Sequence, residues 1–395
     1  MRPFDDRRVL LVVSGGIAAY KSAFLTRRLQ DAGAEVEVVL TRSARRFVGA
    51  ATFEGLTGRD VHTDLWERPM AHLELGRRAD LVVVAPATAD LLARMAAGRA
   101  DDLAAATLLA ADAPVLACPA MNTRMWKHPA TRRNVARLRE DGVALVGPDR
   151  GRLAEDEVGI GRMSEPPRIV AEAGRALEDA PAFRDRKVVV TAGPTRAALD
   201  PVRFLSNRST GRMGFALAAS AWRRGAETLL VSGPARASAP PGPRLVEVEA
   251  AEEMLDVLRE ELDRADVLLM AAAVADFRPT RVHEEKIRKD EGPLEVSLER
   301  GPDLLRETRD ARSRDGVLTV GFALETEGGR ERARAKLEEK GMDFVALNRP
   351  EVGLGTPDNE VTLIDRWGGE EDVPRLPKEA VADRILDRVA ERVGG

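Results

Sequence analysis

The sequence predicts an α/β protein made of two Rossmann-like, doubly wound parallel-sheet domains in tandem. Three observations predict it. Short apolar runs such as Val9–Val13, Pro114–Cys118 and Lys187–Thr191 have the length of strands buried on both faces. Helical segments separate these runs, which is the rhythm of a parallel sheet. Around Glu165–Arg186 the rhythm breaks, with one amphipathic helix and then Pro181 forming a natural join, and it restarts afterwards. The expected domains are 1–180 and 181–395, and 395 residues suffice for two domains of ordinary size.

The first βα unit is strand Val9–Val13, the turn Ser14-Gly15-Gly16 and a helix from Ile17 to Ala32 that ends at Gly33. The turn is not GxGxxG, so a dinucleotide fingerprint is absent. Its backbone N–H groups still suit a phosphate, although a tight strand-to-helix turn alone explains the same residues. Strand Glu35–Leu40 leads into Thr41-Arg42-Ser43, which offers two hydroxyls and a guanidinium at a strand end. His72, one of four histidines, lies in Ala71-His72-Leu73-Glu74-Leu75 before the third strand. It reads either as a structural or surface residue or as an imidazole that handles a proton.

Strand Asp80–Ala85 runs into Pro86-Ala87-Thr88-Ala89-Asp90 and a helix. Asp101-Asp102-Leu103 opens another helix, its acids matching the helix dipole. Strand Pro114–Cys118 runs into Pro119-Ala120-Met121-Asn122, at a strand end, where open α/β sheets bind ligands. Asn122 either caps the helix expected over Arg124–Glu140 or donates two hydrogen bonds to a carboxylate. After strand Val143–Val146, the stretch from Gly151 to Met163 carries three glycines and the acids Glu155, Asp156 and Glu157. It is expected to be a mobile loop able to act as a lid rather than a helix or strand.

The second sheet opens with Lys187–Thr191 and the turn Ala192-Gly193-Pro194-Thr195. Leu199 to Phe204 follows. The loop Ser206-Asn207-Arg208-Ser209-Thr210-Gly211-Arg212-Met213-Gly214 precedes a helix over Phe215–Gly225. This loop reads as a phosphate cradle or as a helix start capped by Thr210. Strands Glu227–Ser232, Leu245–Val248 and Val267–Ala273 continue the sheet. Beyond the last, Asp276 is placed to hold Mg²⁺ or a ribose hydroxyl. Glu284–Lys289 and Leu294–Leu298 form an excursion, either a dimer arm or a solvated charge run. Val317–Phe322 and Asp343–Asn348 complete the sheet, and Lys336 and Lys340 lie one turn apart on the helix between them.

Composition narrows the function class. A net charge of −4 gives no support for nucleic-acid binding. No long apolar segment follows the basic residues at the amino terminus, so neither a signal peptide nor a membrane span is expected, and a cytoplasmic enzyme fits. One cysteine, Cys118, excludes an intramolecular disulfide and a multi-cysteine metal site. Only eight lysines and one glutamine, Gln30, occur, a bias that fits a thermophile and a GC-rich genome equally.

The order of these motifs resembles the bifunctional phosphopantothenoylcysteine decarboxylase/phosphopantothenate–cysteine ligase family of coenzyme A synthesis over nearly the whole chain. In the first half the resemblance rests on Ser14 to Lys21, His72-Leu73-Glu74-Leu75, Ala85 to Asp90 and Pro119-Ala120-Met121-Asn122. In the second it rests on Thr191 to Thr195, Leu199 to Arg203, Ser206 to Gly214, Ala273-Val274-Ala275-Asp276, Glu285-Lys286-Ile287 and Gly321-Phe322-Ala323. Each motif alone is weak; their joint order across two domains is specific.

The resemblance implies an FMN-dependent decarboxylase in front, with FMN between subunits of a trimer. Ser14, Gly15, Gly16, Thr41, Ser43, Thr88 and Met121 would surround the flavin. His72 would be the catalytic imidazole and Asn122 the carboxylate-positioning residue. In resembling enzymes the substrate's cysteine thiol is oxidised to a thioaldehyde, CO2 leaves, and the reduced flavin returns the electrons, so no net redox change occurs. The rear half would be a CTP- and Mg²⁺-dependent ligase that activates 4'-phosphopantothenate as an acyl-cytidylate for attack by cysteine. Asn207 matches the acyl-cytidylate contact, Arg203 a residue near the substrate phosphate, and Ala275, Asp276, Lys286 and Phe322 the nucleotide site. Lys336 and Lys340 match the basic pair near the triphosphate, with Asp276 the metal-side carboxylate. Trimers of the front domain and dimers of the rear one would combine as a dodecamer.

One departure stands out. Several family members carry a proton-donating cysteine in the loop matching Gly151–Met163, and here Glu155 occupies that position. A carboxylic acid whose pKa is raised by burial or by neighbouring acids can donate a proton, so Glu155 or a water is expected to replace the thiol. Rival readings are a ligase with an impaired decarboxylase half, a single-function flavoprotein decarboxylase, a non-enzymatic regulator on the same fold, and a nicotinamide oxidoreductase. Retention of His72 and of the second-half motifs counts against the middle two, and the missing glycine fingerprint against the last.

Overall fold

The computed structural model describes residues 3–154, 157–288, 294–314, 316–324, 329–348 and 355–393. The chain divides into two compact units, Met1–Asp179 and Ala180–Gly395.

In the first unit, Arg8–Val13 (β1), Glu35–Leu40 (β2), Leu81–Ala87 (β3), Val115–Pro119 (β4) and Ala144–Leu145 (β5) form a parallel sheet of order β2-β1-β3-β4-β5. Side chains alternate across a strand, so each face of the sheet collects its own core. Val9, Leu11 and Val13 pack with Leu25 and Leu29 of helix Tyr20–Asp31 and with Ile169 and Ala173 of helix Pro166–Leu177. Leu10 and Val12 pack with Leu75, Leu91, Leu92 and Leu103 from helices on the opposite face. Burial on both faces explains why these strands read as unbroken apolar runs.

Three local expectations change. The helix expected over Arg124–Glu140 is two helices, Thr123–Lys127 and Pro129–Glu140. Pro129 cannot continue the first, and His128 restarts the second by accepting the Ala130 N–H on Nδ1 at 3.2 Å. Two further helices, Ala50–Thr57 and Ala71–Arg78, fill the stretch around His72. The expected mobile loop from Gly151 to Met163 contains an antiparallel hairpin of Asp149–Arg152 (β6) and Val158–Arg162 (β7). Its glycines serve close packing: a Cβ on Gly159 would lie 2.1 Å from Thr123 Oγ1, and one on Gly161, at φ +153°, 2.0 Å from the Met121 carbonyl oxygen.

The second unit is built around Lys187–Ala192 (β8). The short pair Arg196–Ala198 (β9) and Phe204–Ser206 (β10) follows, then Glu227–Ser232 (β11), Arg244–Glu247 (β12) and Val267–Met270 (β13). Phe277–Pro279 (β14) and Leu298–Arg300 (β15) form an antiparallel excursion. Leu318–Leu324 (β16), Phe344–Asn348 (β17), Asp358–Asp365 (β18) and Glu370–Pro377 (β19) complete an eight-stranded sheet of order β12-β11-β8-β13-β16-β17-β18-β19. The sheet therefore does not end at Asn348. Two antiparallel strands extend it, and the helix Lys378–Val393 returns to pack with helix Arg212–Arg223 against Val188 and Val190. The latter helix begins at Gly211, φ +78°, with no side-chain cap, so Thr210 is not its N-cap. The close approach dictates this: a Cβ on Gly214 would meet Ala192 Cβ at 2.5 Å.

Candidate functional sites

The front unit holds a cavity of about 800 Å³ where β1, β3 and β4 end. Its rim takes residues from four strand ends: Ser14, Gly15 and Gly16 after β1, Thr41 and Ser43 after β2, Thr88 after β3, and Ala120, Met121 and Asn122 after β4. Ile17 and Met125 add apolar surface, and Arg152, Leu153 and Ala154 of the hairpin add a further wall.

Ser14 is 2% exposed and works as a clamp. Its hydroxyl donates to the Pro86 carbonyl at 2.7 Å and accepts the Thr88 N–H at 3.1 Å, tying β1 to the end of β3. Thr41 Oγ1 accepts the Ala44 N–H at 3.1 Å and holds the second loop. Both hydroxyls therefore shape the cavity wall, while exposed Ser43 is left to meet a ligand. The loops touch so closely that a Cβ on Gly15 would lie 2.4 Å from Ser43 Cβ. Backbone N–H groups at the start of Ile17–Asp31, the Ser43 and Thr88 hydroxyls and the half-apolar wall make a cradle suited to a phosphate joined to a flat apolar ring.

Asn122 caps a helix, as one of its two sequence readings expects, and its amide nitrogen meets a carboxylate of the protein's own. Oδ1 accepts the Arg124 N–H at 2.7 Å and caps helix Thr123–Lys127. Nδ2 points away and donates to the Glu157 carboxylate at 3.3 Å. An amide capping with one end and holding a carboxylate with the other is the arrangement a carboxylate-positioning residue needs. The hairpin is pinned beside it, since the Met121 N–H donates to the Gly161 carbonyl at 2.9 Å. A methyl on Gly161 should undock the hairpin, and Gly161→Ala is expected to make the β6–β7 segment about tenfold more susceptible to limited proteolysis than in the parent.

His72 is not brought to this cavity. It sits half-buried on helix Ala71–Arg78, whose Ala71 and Leu75 pack on the opposite sheet face from helix Tyr20–Asp31. Its Nδ1 is buried and has no hydrogen-bond partner among the described residues. Glu155 and Asp156 lie outside the described residues. Cys118 is fully buried in β4, where loss of hydration pushes its thiol far above the usual range. Lys21, which the sequence reading passed over, lines the cavity at 7% exposure. Its Nζ binds Glu165 Oε1 at 2.8 Å and holds that carboxyl below its ordinary range. A lysine on the inward stripe of an amphipathic helix was the available signal.

In the rear unit the motif loops converge beyond the ends of β8 and β13. Asn207 Nδ2 donates to the carbonyls of Ala273 and Val274 at 3.1 and 2.9 Å, so its Oδ1 is the atom left for a ligand. Thr195 Oγ1 accepts the Ala275 N–H at 2.9 Å, and the Gly301 N–H donates to the Asp276 carbonyl at 2.9 Å. Arg203 Nη1 binds Asp200 Oδ2 at 2.9 Å and the Ile287 carbonyl at 3.1 Å, which fixes the segment carrying exposed Lys286. Burial pushes the Asp200 carboxyl up, but three backbone N–H groups and Arg203 outweigh it and hold it low.

Phe322 lies on β16 and packs against the core, and Lys336 is half-buried one turn before Lys340. Lys340 Nζ pairs with Asp303 Oδ2 at 3.0 Å, a partner the sequence reading missed. Burial raises the Asp303 carboxyl, yet the Lys340 ammonium and backbone N–H groups bring it below its ordinary value. Asp276 is exposed, and no group of three or more His, Cys, Asp or Glu is placed to hold a metal among the described residues. A cation here would need further oxygens from a bound ligand.

Comparison with known proteins follows the same division. Residues 2–177 match the Flavoprotein family model, and residues 183–393 match the DNA/pantothenate metabolism flavoprotein C-terminal domain. The Coenzyme A biosynthesis bifunctional protein CoaBC of Vibrio vulnificus is 41% identical over 404 residues, covering 100% of both chains. That of Mycobacterium tuberculosis is 46% identical over 410 residues, covering 98% of this chain and 97% of the relative. That of Bacillus subtilis is 41% identical over 396 residues, covering 98% and 97%. Among the described residues no helix is long and apolar enough to cross a membrane.

Proposed function

Because the chain belongs to the family of bifunctional coenzyme A biosynthesis proteins, enzymes with a flavoprotein decarboxylase domain and a ligase domain, we propose that its two sites act in sequence on one substrate. The rear unit joins 4'-phosphopantothenate to cysteine at the expense of CTP, and the front unit decarboxylates the phosphopantothenoylcysteine formed. The observation that carries the reading is a pair of asparagines, one in each unit: Asn122 just past the carboxyl end of β4, and Asn207, which follows β10 and is hydrogen-bonded to the segment just past the carboxyl end of β13.

In the front unit the cradle of Gly15, Gly16, Ser43 and Thr88 fits FMN, with Ser14 and Thr41 fixing its walls and Met121 beside it. When bound, FMN takes up and returns the two electrons that make the carboxylate a leaving group. Asn122 holds the substrate carboxylate through Nδ2, and the hairpin excludes water. His72 reaches this site from a neighbouring subunit of a homo-oligomer, which is why one chain leaves it apart from the cavity. Glu155, outside the described residues, takes the place of the family's proton-donating cysteine. Should Glu155→Gln still carry decarboxylation through to fully reduced product at an unchanged rate, that assignment is wrong.

In the rear unit Arg203 and Lys286 bind the substrate phosphate and nucleotide. Ala275, Asp276 and Phe322 frame the nucleotide; Asp276 would help hold Mg²⁺, whose charge would offset that of the phosphates. Lys336 and Lys340 neutralise the triphosphate, and Asn207 holds the activated carboxyl through Oδ1. Asn207→Ala is expected to slow ligation at least about a hundredfold while CTP still binds, checked by calorimetry alongside turnover. One mass spectrum tests the whole reading. With 4'-phosphopantothenate, cysteine, CTP and Mg²⁺ the expected product is 4'-phosphopantetheine. Phosphopantothenoylcysteine alone would leave only the ligase half of the reading; no product with either CTP or ATP would overturn the ligase half, and no CO2 from added phosphopantothenoylcysteine would overturn the other.

A further inference from the structure

Arg312 is 2% exposed, yet no carboxylate hydrogen-bonds to it among the described residues. Each of its five N–H donors instead meets a neutral oxygen. Nε donates to Thr308 Oγ1 at 3.3 Å. Nη1 donates to Thr319 Oγ1 at 3.0 Å and to the Gly341 carbonyl at 2.9 Å. Nη2 donates to the carbonyls of Leu305 at 2.7 Å and Lys340 at 2.9 Å. The two hydroxyls turn their own protons elsewhere, Thr308 to the Leu304 carbonyl at 2.6 Å and Thr319 to the Val317 carbonyl at 3.1 Å, so their lone pairs face the guanidinium.

Burying a cation among neutral acceptors is costly, and a leucine would fill the space at lower cost. What only the planar fork can do is fix several carbonyls at set distances and angles. The three it holds come from two segments. Leu305 lies in the turn Leu304–Glu307, whose N-terminus is capped by Asp303. Lys340 and Gly341 follow the end of helix Gly329–Glu339, with Gly341 at φ +58°. These two segments supply the Asp303–Lys340 ion pair.

We propose that Arg312 is a positioning residue of the ligase site, clamping the backbone of Lys340 to the Asp303-capped turn so that the Lys340 ammonium is presented to the nucleotide triphosphate. The proposal rests on the reading above that Lys340 faces the triphosphate. It adds the residue that makes Lys340 effective without touching substrate.

The test uses the full-length enzyme and measures kcat and KM for each ligase substrate, with decarboxylation in the same preparation as an internal gauge. Arg312→Lys keeps the charge and loses the fork. It is expected to raise KM for CTP about tenfold, to leave KM for cysteine unchanged and to leave decarboxylation intact. In combination with Lys340→Ala it should add little to the loss from Lys340→Ala alone. Thr319→Val removes one acceptor and should shift KM for CTP in the same direction by less, and it decides the matter if Arg312→Lys does not fold. An unchanged KM for CTP in a folded variant would overturn the proposal, as would equal losses for every ligase substrate that add fully to Lys340→Ala. If Lys340→Ala itself leaves KM for CTP unchanged, the placement of Lys340 at the triphosphate fails, and the proposal with it.

Discussion

Replacing Asn122 by aspartate should lower the rate of decarboxylation about a thousandfold and leave ligation at its normal rate. The substitution is chosen for what it keeps. Aspartate caps helix Thr123–Lys127 as well as asparagine does, because the cap uses Oδ1 and the Arg124 N–H. It removes only the Nδ2 donor, which the Glu157 carboxylate occupies in the free chain. A substrate carboxylate would then meet a negative charge where it had met a donor. Asn122→Ala, by contrast, loses the cap too and should cost about 1 kcal/mol of stability. Decarboxylation of phosphopantothenoylcysteine by the aspartate variant at more than a tenth of the parent rate would reduce Asn122 to a helix cap.

The second large effect is expected at Gly15. Its backbone accepts an L-residue, since Gly15 is absent from the positive-φ glycines. The difficulty is contact: a methyl there would lie 2.4 Å from Ser43 Cβ and 2.6 Å from the Ser43 carbonyl carbon. Backbone cannot yield as a flexible side chain does, so the loop carrying Thr41 and Ser43 must move off the cradle. Gly15→Ala should purify without yellow colour and bind added FMN at least about a hundredfold more weakly, with ligation retained. Gly16→Ala is the control for stability. Its methyl would meet only Thr88 Cγ2 at 3.5 Å, an ordinary contact, so flavin-free protein should melt at the parent temperature. Equal flavin content in Gly15→Ala and parent would detach this turn from the cofactor.

Much of the fold was legible because buried parallel strands announce themselves by composition. β2 and β11 have the ranges expected of them, Glu35–Leu40 and Glu227–Ser232. Elements whose reason is tertiary were not legible. The β6–β7 hairpin reads as loop because its glycines weaken a strand in isolation, and their need emerges only where Thr123 and Met121 press against them. The antiparallel strands β18 and β19 alternate with polar residues and carry no motif, so nothing in the chain announced that the sheet continues past Asn348.

The candidate sites divide in the same way. The placement of Asn122 and of the residues around Ser14 was legible because each sits just past a strand end. Asp303 was not, because its pairing with Lys340 joins segments that only the fold brings together. His72 was legible as a motif but not as a position, since the helix that carries it packs away from the cavity.

The seclusion of Cys118 has a consequence for an enzyme whose proposed substrate and product are both free thiols. Mixed disulfides form by attack of a thiolate at an accessible sulfur, and the one sulfhydryl of this chain is fully buried in β4 and held protonated. The folded protein therefore offers cystine or oxidised pantetheine nothing to capture. Loss of activity through a mixed disulfide on the folded enzyme itself is therefore not expected, and disulfide exchange falls on its thiol substrates instead.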